Sequence, residues 1–344
     1  MPGRVLVTGG AGYFGATLVD AVRASGEAVR VLDLAADPAL PSDVEYVRGD
    51  IRDRDAVARA CQGVEVIHHS VAQVPLARDR ALFVSVNVNG TRVLLEEAHR
   101  AGVRKVVHLS SSAVFGVPEH NPVTADSPPR PREPYGRAKL DAERECARAI
   151  AGGLDVTIIR PRTILGHGRL GIFQILFEWV RGGLNIPVLG DGSNVYQFVH
   201  AADLADACLR AADTRGPATY NIGAARFGTM RETLEALVAH AATGSRVVSL
   251  PKAPAVAAMK ISSALRLSPL APYHWLMYGE SMYFDVAPAH AALGWEPRYG
   301  NVEMMIEAYD WYVAHRDEIL AATSRSPHRS ALNQGVLRLV GRLI

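Results

Sequence analysis

The sequence predicts an α/β fold built on a doubly wound parallel sheet. Short β-branched runs alternate with longer helical patterns through the first two-thirds of the 344 residues. The runs are apolar on both faces, as expected for parallel strands that helices cover on each side. After about Pro161 the pattern loosens into helices, short strands and many Gly and Pro residues. This change predicts a smaller C-terminal substrate-binding portion, with ligands at the carboxyl ends of the strands.

The alternating elements follow one another in a regular order. Strands are expected at residues 4–9, 28–33, 44–50, 64–69, 104–111 and 154–161. Helices are expected at residues 13–25, 53–61, 80–101 and 136–151. Residues 1–165 are therefore the predicted cofactor domain, and parts of 195–225 complete its sheet. Residues 166–320 are the predicted substrate-binding portion and lid, and 321–344 form a basic amphipathic tail.

The composition fits a packed globular protein and excludes several classes of function. Hydrophobic residues make up 49% and charged residues 21%, which is too apolar for a disordered chain. A net charge of +2 gives no basis for nucleic-acid binding. Cys61, Cys146 and Cys208 match no metal or disulfide spacing, so no metal site is expected. The first residues enter a strand directly and no apolar run reaches the length of a membrane span, which predicts a cytoplasmic protein.

A glycine-rich turn follows the first expected strand. Gly9, Gly12 and Gly15 have the spacing that permits a tight turn, close approach of backbone to a pyrophosphate, and close packing of helix on strand. The helix N-terminus then offers N–H groups to the phosphates. Asp33 ends the second strand, where a carboxylate binds ribose hydroxyls, and DLAAD contains no Arg or Lys to accept a 2′-phosphate. The pattern predicts a Rossmann-type domain that binds NAD(H) in preference to NADP(H).

A second group of residues carries acid–base chemistry. Tyr135 and Lys139 stand four residues apart at the start of an expected helix and therefore share one face. A neighbouring ammonium favours the phenolate and lowers the pKa of a tyrosine from its usual value of about 10. Such a tyrosine can exchange a proton with a substrate oxygen. Serines end the fifth strand, where one hydroxyl can hold that oxygen in line.

Together these motifs resemble the extended short-chain dehydrogenase/reductase superfamily over nearly the whole chain. The matching stretches are TGGAGYFG, NVNGT, the serine-rich strand end, YGRAK, RPRTILG and FVHAADLADA. The resemblance implies that Ser111 orients the substrate oxygen, that Tyr135 is the acid/base and that Lys139 assists it and reaches a cofactor ribose. It also implies a homodimer formed through the helices at 80–101 and 136–151.

The predicted cofactor site extends beyond the glycines. Asp50 and Ile51 end the third strand, where they either flank the adenine or only cap and pack the strand end. Further cofactor contacts are expected from Tyr13, Phe14, Ser70, Asn87, Tyr135, Lys139 and Pro161.

The stretch GDGSNVYQF separates two classes of substrate. Superfamily members that bind sugar nucleotides usually carry an Arg here and an Asn in the preceding RPxNxxG motif, and both contact the diphosphate. This chain has Tyr196 and Thr163 at those places, and these two residues and Ser112 are expected to contact substrate. A diphosphate without cations is costly to bury. The cations that can substitute are Arg162, Arg169 and Arg181.

Residues 236–279 contain no Asp or Glu but hold Arg246, Lys252, Lys260 and Arg266 among apolar residues. Such a segment is typical of peripheral contact with the inner face of a membrane, and equally of a hydrophobic lid over a polar site. The tail at 330–344 repeats the pattern, either as a membrane contact or as a helix that docks on the same chain.

The stretch SMYFDVAPAHAALGWEPR resembles the 3β-hydroxysteroid dehydrogenase branch and bacterial reductases of long-chain β-keto lipids. The resemblance implies an NAD(H)-dependent oxidoreductase that interconverts a ketone and a secondary alcohol. Its small-molecule substrate is expected to be a 3-oxo-sphingolipid of the ceramide type, another β-keto lipid or a sterol. The alternative is a nucleotide-sugar 4-epimerase with tightly bound NAD. A non-catalytic NAD sensor is disfavoured, because a sensor needs no proton donor.

Overall fold

The computed structural model describes residues 4–35, 40–74 and 79–321. The strands are β1 (Arg4–Thr8), β2 (Ala28–Asp33), β3 (Glu45–Arg48), β4 (Val66–His69), β5 (Lys105–Leu109), β6 (Val156–Pro161), β7 (Thr163–Leu165), β8 (Ile186–Leu189), β9 (Val195–Tyr196), β10 (Phe198–His200), β11 (Ala218–Ile222), β12 (Gly228–Thr229) and β13 (Val247–Leu250). A seven-stranded sheet has the order β11-β6-β5-β4-β1-β2-β3, with every neighbouring pair parallel. This is the strand order of a Rossmann-type fold with one added strand at the β6 edge.

Helices cover both faces of this sheet. They are α1 (Tyr13–Ala24), α2 (Arg54–Cys61), α3 (Arg80–Leu82), α4 (Thr91–Arg100), α5 (Pro134–Ala151), α6 (Ile172–Arg181), α7 (Ala201–Asp213), α8 (Met230–Ala241), α9 (Lys252–Ala264), α10 (Pro272–Met277), α11 (Ala287–Leu293), α12 (Asn301–Ala314) and α13 (Arg316–Ala321). On one face α1 and α7 bury Leu18 and Leu204, and on the other α2 and α4 bury Val57 and Leu94. The strands are therefore apolar on both faces, as their sequence predicts.

The six predicted strands are confirmed, with ends that differ by at most two residues. The predicted helix at 80–101 is three segments, because a π-helical stretch at Phe83–Gly90 separates α3 from α4. This stretch packs tightly on the sheet edge. A Cβ added at Gly90 would lie 2.6 Å from a side-chain carbon of Ile51. A 3.6-residue periodicity does not distinguish a π turn from an α turn, so the sequence pattern did not reveal it.

The outer strand β11 is held by a buried cation as well as by its ladder to β6. Lys105 is fully buried in β5, and its Nζ donates to Asp155 Oδ1 at 2.7 Å and to the Gly216 carbonyl at 2.9 Å. Asp155 Oδ2 in turn accepts from Gly216 N at 2.8 Å. These bonds fix the turn that leads into β11.

The residues that follow β6, apart from α7, β11 and α11, build most of a cap beyond the sheet. Its core joins α6, α8 and α12 to the β8–β13 pair and includes Phe177, Leu237 and Tyr312. The helix α9 lies at the surface of the cap, and none of its 13 residues is buried. Among the described residues, no helix combines the length and the apolar character needed to cross a bilayer. The predicted tail at 321–344 lies outside the described residues after Ala321.

Candidate active site

A cavity of about 1810 Å³ lies at the carboxyl ends of the sheet strands and continues into the cap. Small-molecule pockets usually measure roughly 300–1,000 Å³, so this cavity has room for a dinucleotide and a second ligand. The predicted site residues on its wall are Gly9, Gly12, Tyr13, Phe14, Gly15, Asp33, Asp50, Ile51, Ser70, Ser111, Ser112, Tyr135, Lys139, Pro161, Thr163 and Tyr196.

The glycine turn brings the start of α1 against the end of β1. Gly9 has a φ of +75°, which only glycine adopts without strain. A Cβ added at Gly15 would lie 1.9 Å from the Gly9 carbonyl oxygen, so the helix could not approach the turn with any larger residue. Gly12 is the N-cap of α1, and no side chain caps it. The N-terminus of α1 therefore opens on the cavity as a cradle for an anionic ligand such as a diphosphate.

Asp33 ends β2 beside this turn. Its Oδ2 accepts a hydrogen bond from Ala11 N at 3.1 Å, and its Oδ1 accepts one from Leu34 N at 2.7 Å. The neighbouring strand places Arg48 in register with Asp33 and on the cavity wall. Arg48 was not among the predicted site residues, because it reaches the wall through strand pairing rather than through the local DLAAD stretch. In a doubly wound sheet the third strand is expected to lie beside the second, and this expectation could have identified Arg48 as a neighbour of Asp33.

The other predicted cofactor contacts occupy different environments. Arg52 binds the Asp50 carboxylate at 2.6 and 2.9 Å, and these hydrogen bonds lower the pKa of Asp50. Ser70 lies on the wall and donates from Oγ to the Thr8 carbonyl at 2.7 Å. Asn87 is buried and lies off the wall. Its side chain binds Gln73 N at 2.7 Å and Gln73 O at 3.1 Å, so it orders a backbone segment that does line the cavity.

The start of α5 fixes Tyr135. Glu133 caps this helix, and its carboxylate accepts from Tyr135 N at 2.7 Å and Gly136 N at 2.5 Å. Pro134 occupies the first turn, where its missing N–H costs nothing. Ser111 lies two residues after the end of β5 in an extended conformation, and its Oγ accepts a hydrogen bond from Ala113 N at 3.2 Å. Both hydroxyls are thus positioned by backbone geometry.

Burial sets the proton affinities at this end of the cavity. Burial raises the pKa of Tyr135 to about 12. A hydrogen bond with Ser111 and the positive charge of Arg169 act in the opposite direction and lower this pKa. Burial also lowers the pKa of Lys139 to about 8. The Lys139 ammonium donates to the Leu109 carbonyl at 2.8 Å. The cation that favours the Tyr135 phenolate here is Arg169, a residue outside the predicted catalytic set.

A polar cluster lies where the cavity enters the cap, and we define it as Ser112, Arg162, Thr163, Tyr196 and Tyr273. Arg162 is 1% exposed, donates to Ser112 Oγ at 2.9 Å and lies 4.6 Å from the centroid of the Tyr196 ring. Thr163 Oγ1 and the Tyr196 hydroxyl are 2.8 Å apart. The side chain of Tyr273, from α10, forms hydrogen bonds with both Thr163 and Tyr196. The three predicted substrate residues therefore lie together, and Tyr273 joins them from a part of the chain where no motif marked it.

The three arginines that can substitute for the missing one occupy different places. Arg162 and Arg169 line the cavity. Arg181 lies at the exposed end of α6, pairs with Glu178 at 3.2 Å and does not line the cavity.

Beyond the polar cluster the wall is apolar. Among the described residues from 161 onward that line the cavity, none is Asp or Glu. The apolar wall residues in this part include Phe173, Leu176, Trp179, Ile186, Leu189, Met230, Leu250, Met259, Ile261, Leu267, Leu270 and Met277. This half of the cavity therefore presents a largely apolar surface without carboxylates to a ligand.

Comparison with known proteins places these features in one family. The model of the NAD dependent epimerase/dehydratase family matches residues 5–223. An uncharacterized protein of Sinorhizobium fredii is 52% identical over 336 residues, which cover 97% of this chain and 85% of that protein. A UDP-glucose 4-epimerase of Mycolicibacterium smegmatis is 34% identical and covers 90% of this chain and 98% of its own length.

A steroid enzyme and a solved sugar-nucleotide complex are also similar to this chain. The 3 beta-hydroxysteroid dehydrogenase/Delta 5-->4-isomerase of Mycobacterium tuberculosis is 33% identical over 91% of both chains. The structure of MoeE5 in complex with UDP-glucose and NAD superposes with a TM-score of 0.72. It is 26% identical to this chain and covers 91% of it and 100% of MoeE5.

Proposed function

Because the chain belongs to the NAD dependent epimerase/dehydratase family, we propose that it is an NAD(H)-dependent oxidoreductase of a hydrophobic lipid. The enzyme acts on CH–OH and C=O groups, as the family does. The proposed substrate is a β-keto lipid such as a 3-oxo-sphingolipid, or a sterol. The observation that carries this proposal is the apolar, acid-free wall of the cap half of the cavity.

The residues of the sheet edge fit the dinucleotide. The glycine turn and the N-terminus of α1 would hold its diphosphate, and Asp33 would bind its adenosine ribose. The carboxylate of Asp33 disfavours a 2′-phosphate by like-charge repulsion, which supports NAD(H) although Arg48 lies nearby. When bound, NAD(H) supplies or accepts the hydride.

The chain's own groups would handle the proton and the oxygen. Tyr135 would donate its proton to the carbonyl oxygen in reduction and take it back in oxidation. The Ser111 hydroxyl, which is hydrogen-bonded to Tyr135, would orient the same carbonyl oxygen. Lys139, anchored on the Leu109 carbonyl, would present its remaining N–H donors towards the cofactor ribose.

A sugar-nucleotide 4-epimerase is the second candidate. It would use the same three residues to oxidise and then re-reduce one carbon of a sugar. The similarity to a UDP-glucose 4-epimerase supports it, as do Arg162 and Arg169 on the cavity wall. The large apolar wall beyond them supports the lipid instead, as does the comparable similarity to a 3 beta-hydroxysteroid dehydrogenase.

The helix α9 would bring this cavity to a membrane surface. Ile261 lines the cavity and is also 60% exposed, and Leu265 beside it is 62% exposed. Lys260 and Arg266 flank these side chains. An exposed apolar edge with neighbouring cations is suited to an anionic bilayer, from which a lipid would enter the cavity directly.

Cofactor consumption tests the reaction. We expect the protein to oxidise NADH stoichiometrically when it is given an N-acyl 3-oxo-sphinganine or a 3-oxo steroid in mixed micelles. UDP-glucose should give no net NADH change and UDP little heat in calorimetry. Tight enthalpic binding of UDP, with UDP-galactose formed from UDP-glucose, would establish the epimerase instead.

Tyr196→Arg provides a second discrimination. The new guanidinium would meet that of Arg162, which lies against the Tyr196 ring at 4.6 Å, and would bring a second, unpaired cation to the polar cluster. Burial of even an uncharged polar group without a partner costs roughly 1–3 kcal/mol, so kcat/KM on the lipid should fall about tenfold or more. Tyr196→Phe, which removes only the hydroxyl, is the control. A gain of activity on a UDP-sugar by Tyr196→Arg would contradict the lipid proposal.

A further inference from the structure

Arg169 is a cavity cation to which the proposed reaction assigns no ligand. Its guanidinium carbon lies 5.4 Å from the ring centroid of Tyr13 and 5.8 Å from that of Phe173. Stacking engages the faces of a planar guanidinium and leaves the N–H donors on its edges for another partner. Nε of Arg169 is buried without a hydrogen-bond partner among the described residues. Aromatic packing thus holds this side chain while its donors remain available.

The charge of Arg169 lacks a carboxylate in the part of the chain that the structure describes. The groups whose negative forms act on it are the phenols of Tyr13, Tyr135 and Tyr273. Burial lowers the pKa of Arg169 to about 10, so the guanidinium stays charged at neutral pH. The carboxylates on the cavity wall, Asp33 and Asp50, accept hydrogen bonds from their own neighbours. A cation held in this way is costly unless a ligand supplies the negative charge.

The position of Arg169 links the two halves of the cavity. Tyr13 begins α1, whose N-terminus faces the diphosphate cradle, and Tyr135 marks the reacting end. Tyr273 belongs to α10 of the cap and completes the polar cluster. Arg169 lies on the cavity wall, with its guanidinium against Tyr13 on the cradle side and against Phe173 of α6 on the cap side, so it lies where the two halves of the cavity meet.

We propose that Arg169 binds an oxyanion, a phosphate or carboxylate group, at the junction between the cofactor half and the substrate half of the cavity. A planar guanidinium with free edges matches such a group with two parallel N–H···O bonds. Two ligands can bring an oxyanion to this point. One is the diphosphate of the dinucleotide, and the other is an acidic head on an amphiphilic substrate. The inference does not depend on the identity of the lipid.

Binding measurements with Arg169→Met test the proposal. Methionine keeps a long side chain between Tyr13 and Phe173 and removes only the charge and the donors. Calorimetry would compare NADH and ADP-ribose on the apo-protein, and dodecyl phosphate and dodecanol on the NAD⁺-saturated protein. Arg181→Met is the matched control, because it removes an arginine that lies off the cavity wall. Thermal unfolding would verify that both variants are folded.

A charged hydrogen bond contributes roughly 1.5–3 kcal/mol, so we expect Arg169→Met to weaken one ligand by about tenfold or more. Weaker binding of NADH and ADP-ribose would support the proposal and assign the oxyanion to the dinucleotide. Weaker binding of dodecyl phosphate, with unchanged binding of dodecanol, would also support the proposal and would assign the oxyanion to the substrate. Affinities all within about twofold of wild type would overturn it. An equal loss for dodecyl phosphate and dodecanol would also overturn it, because that result reports packing alone.

Discussion

The catalytic edge of the sheet and the helix α9 lie on the same cavity but are held in opposite ways. At the sheet edge, Tyr135 is fixed by the Glu133 cap, Lys139 by the Leu109 carbonyl and Ser111 by the turn that it caps. In α9 no residue is buried. One region is positioned by backbone hydrogen bonds in the protein interior, and the other leaves its apolar side chains exposed.

Under the proposed function, this difference would separate the residues that carry out the reaction from those that select the substrate. Groups that move a proton must stay within hydrogen-bond reach of the reacting oxygen, so they require a rigid support. A surface that recognises hydrocarbon needs only apolar area, which a loosely packed helix can provide. Changes at the sheet edge should therefore affect turnover or folding, and changes in α9 should affect only the capture of substrate.

Tyr135→Phe would sharpen the comparison most. The change removes the transferable proton and leaves the α5 cap intact, since Glu133 binds backbone N–H groups. We expect turnover to fall about 1,000-fold, within the usual range for a lost general acid, with an unchanged Kd for NADH. Steady-state kinetics and fluorescence titration check both values. Turnover close to wild type would remove Tyr135 from the mechanism.

Gly15→Ala tests the rigidity of the cofactor edge. Its Cβ would fall 1.9 Å from the Gly9 carbonyl oxygen, and a backbone atom at a tight turn cannot move aside cheaply. We expect a loss of more than about 3 kcal/mol in the free energy of unfolding, measured by urea denaturation. Gly152→Ala is the control, because the nearest atom to its Cβ would be 3.3 Å away and its φ is −80°. Similar losses in the two variants would contradict the assigned role of Gly15.

The buried ammonium of Lys139 predicts a pH dependence for the apo-protein. Its pKa of about 8 lies below the value of about 10.4 for an unfolded chain. Between these values the unfolded state binds more protons, so stability should rise with pH. Relative to Lys139→Met, the wild type should gain roughly 2–3 kcal/mol in the free energy of unfolding from pH 8 to pH 10. Parallel pH profiles for the two proteins would show that the ammonium is not desolvated.

Leu265→Ser should have the smallest effect and one confined to membranes. Leu265 is 62% exposed, so its loss should leave the thermal stability unchanged. Binding to vesicles of phosphatidylglycerol and phosphatidylcholine should weaken about tenfold, since one leucine side chain contributes roughly 1.5–3 kcal/mol when fully buried in an apolar phase. Leu320→Ser, at another exposed leucine, is the control. Equal binding by both variants, or a large loss of stability, would contradict the proposed membrane contact of α9.

The part of the molecule with strong local signals was predictable. Alternating apolar runs marked the strands, and the glycine spacing marked the turn at Gly9. Tyr135 and Lys139 were found because one helical turn separates them, which is a local geometric rule. These features depend on neighbours in sequence, and a single chain displays them directly.

Residues that reach the site through tertiary packing were not predictable in the same way. Arg48 reaches the wall through the pairing of β2 with β3, and Tyr273 through the docking of α10 on the polar cluster. Asn87 was expected to touch the cofactor, but it binds the backbone of Gln73. A motif gives the identity of such residues and not the direction of their side chains.

The strand β11 and the turn before it complete the sheet late in the synthesis of the chain. The edge of β6 is complete only after residue 222 has been made, more than fifty residues after β6 itself has been synthesised. Until then the nascent chain presents an open strand edge, and the Lys105 ammonium lacks the Gly216 carbonyl that accepts from it. A nascent chain stalled with residue 215 outside the ribosome should therefore aggregate more readily than one stalled with residue 222 outside, as sedimentation of the stalled translation products would measure. The late strand makes this sheet vulnerable during synthesis in a way that its finished form does not reveal.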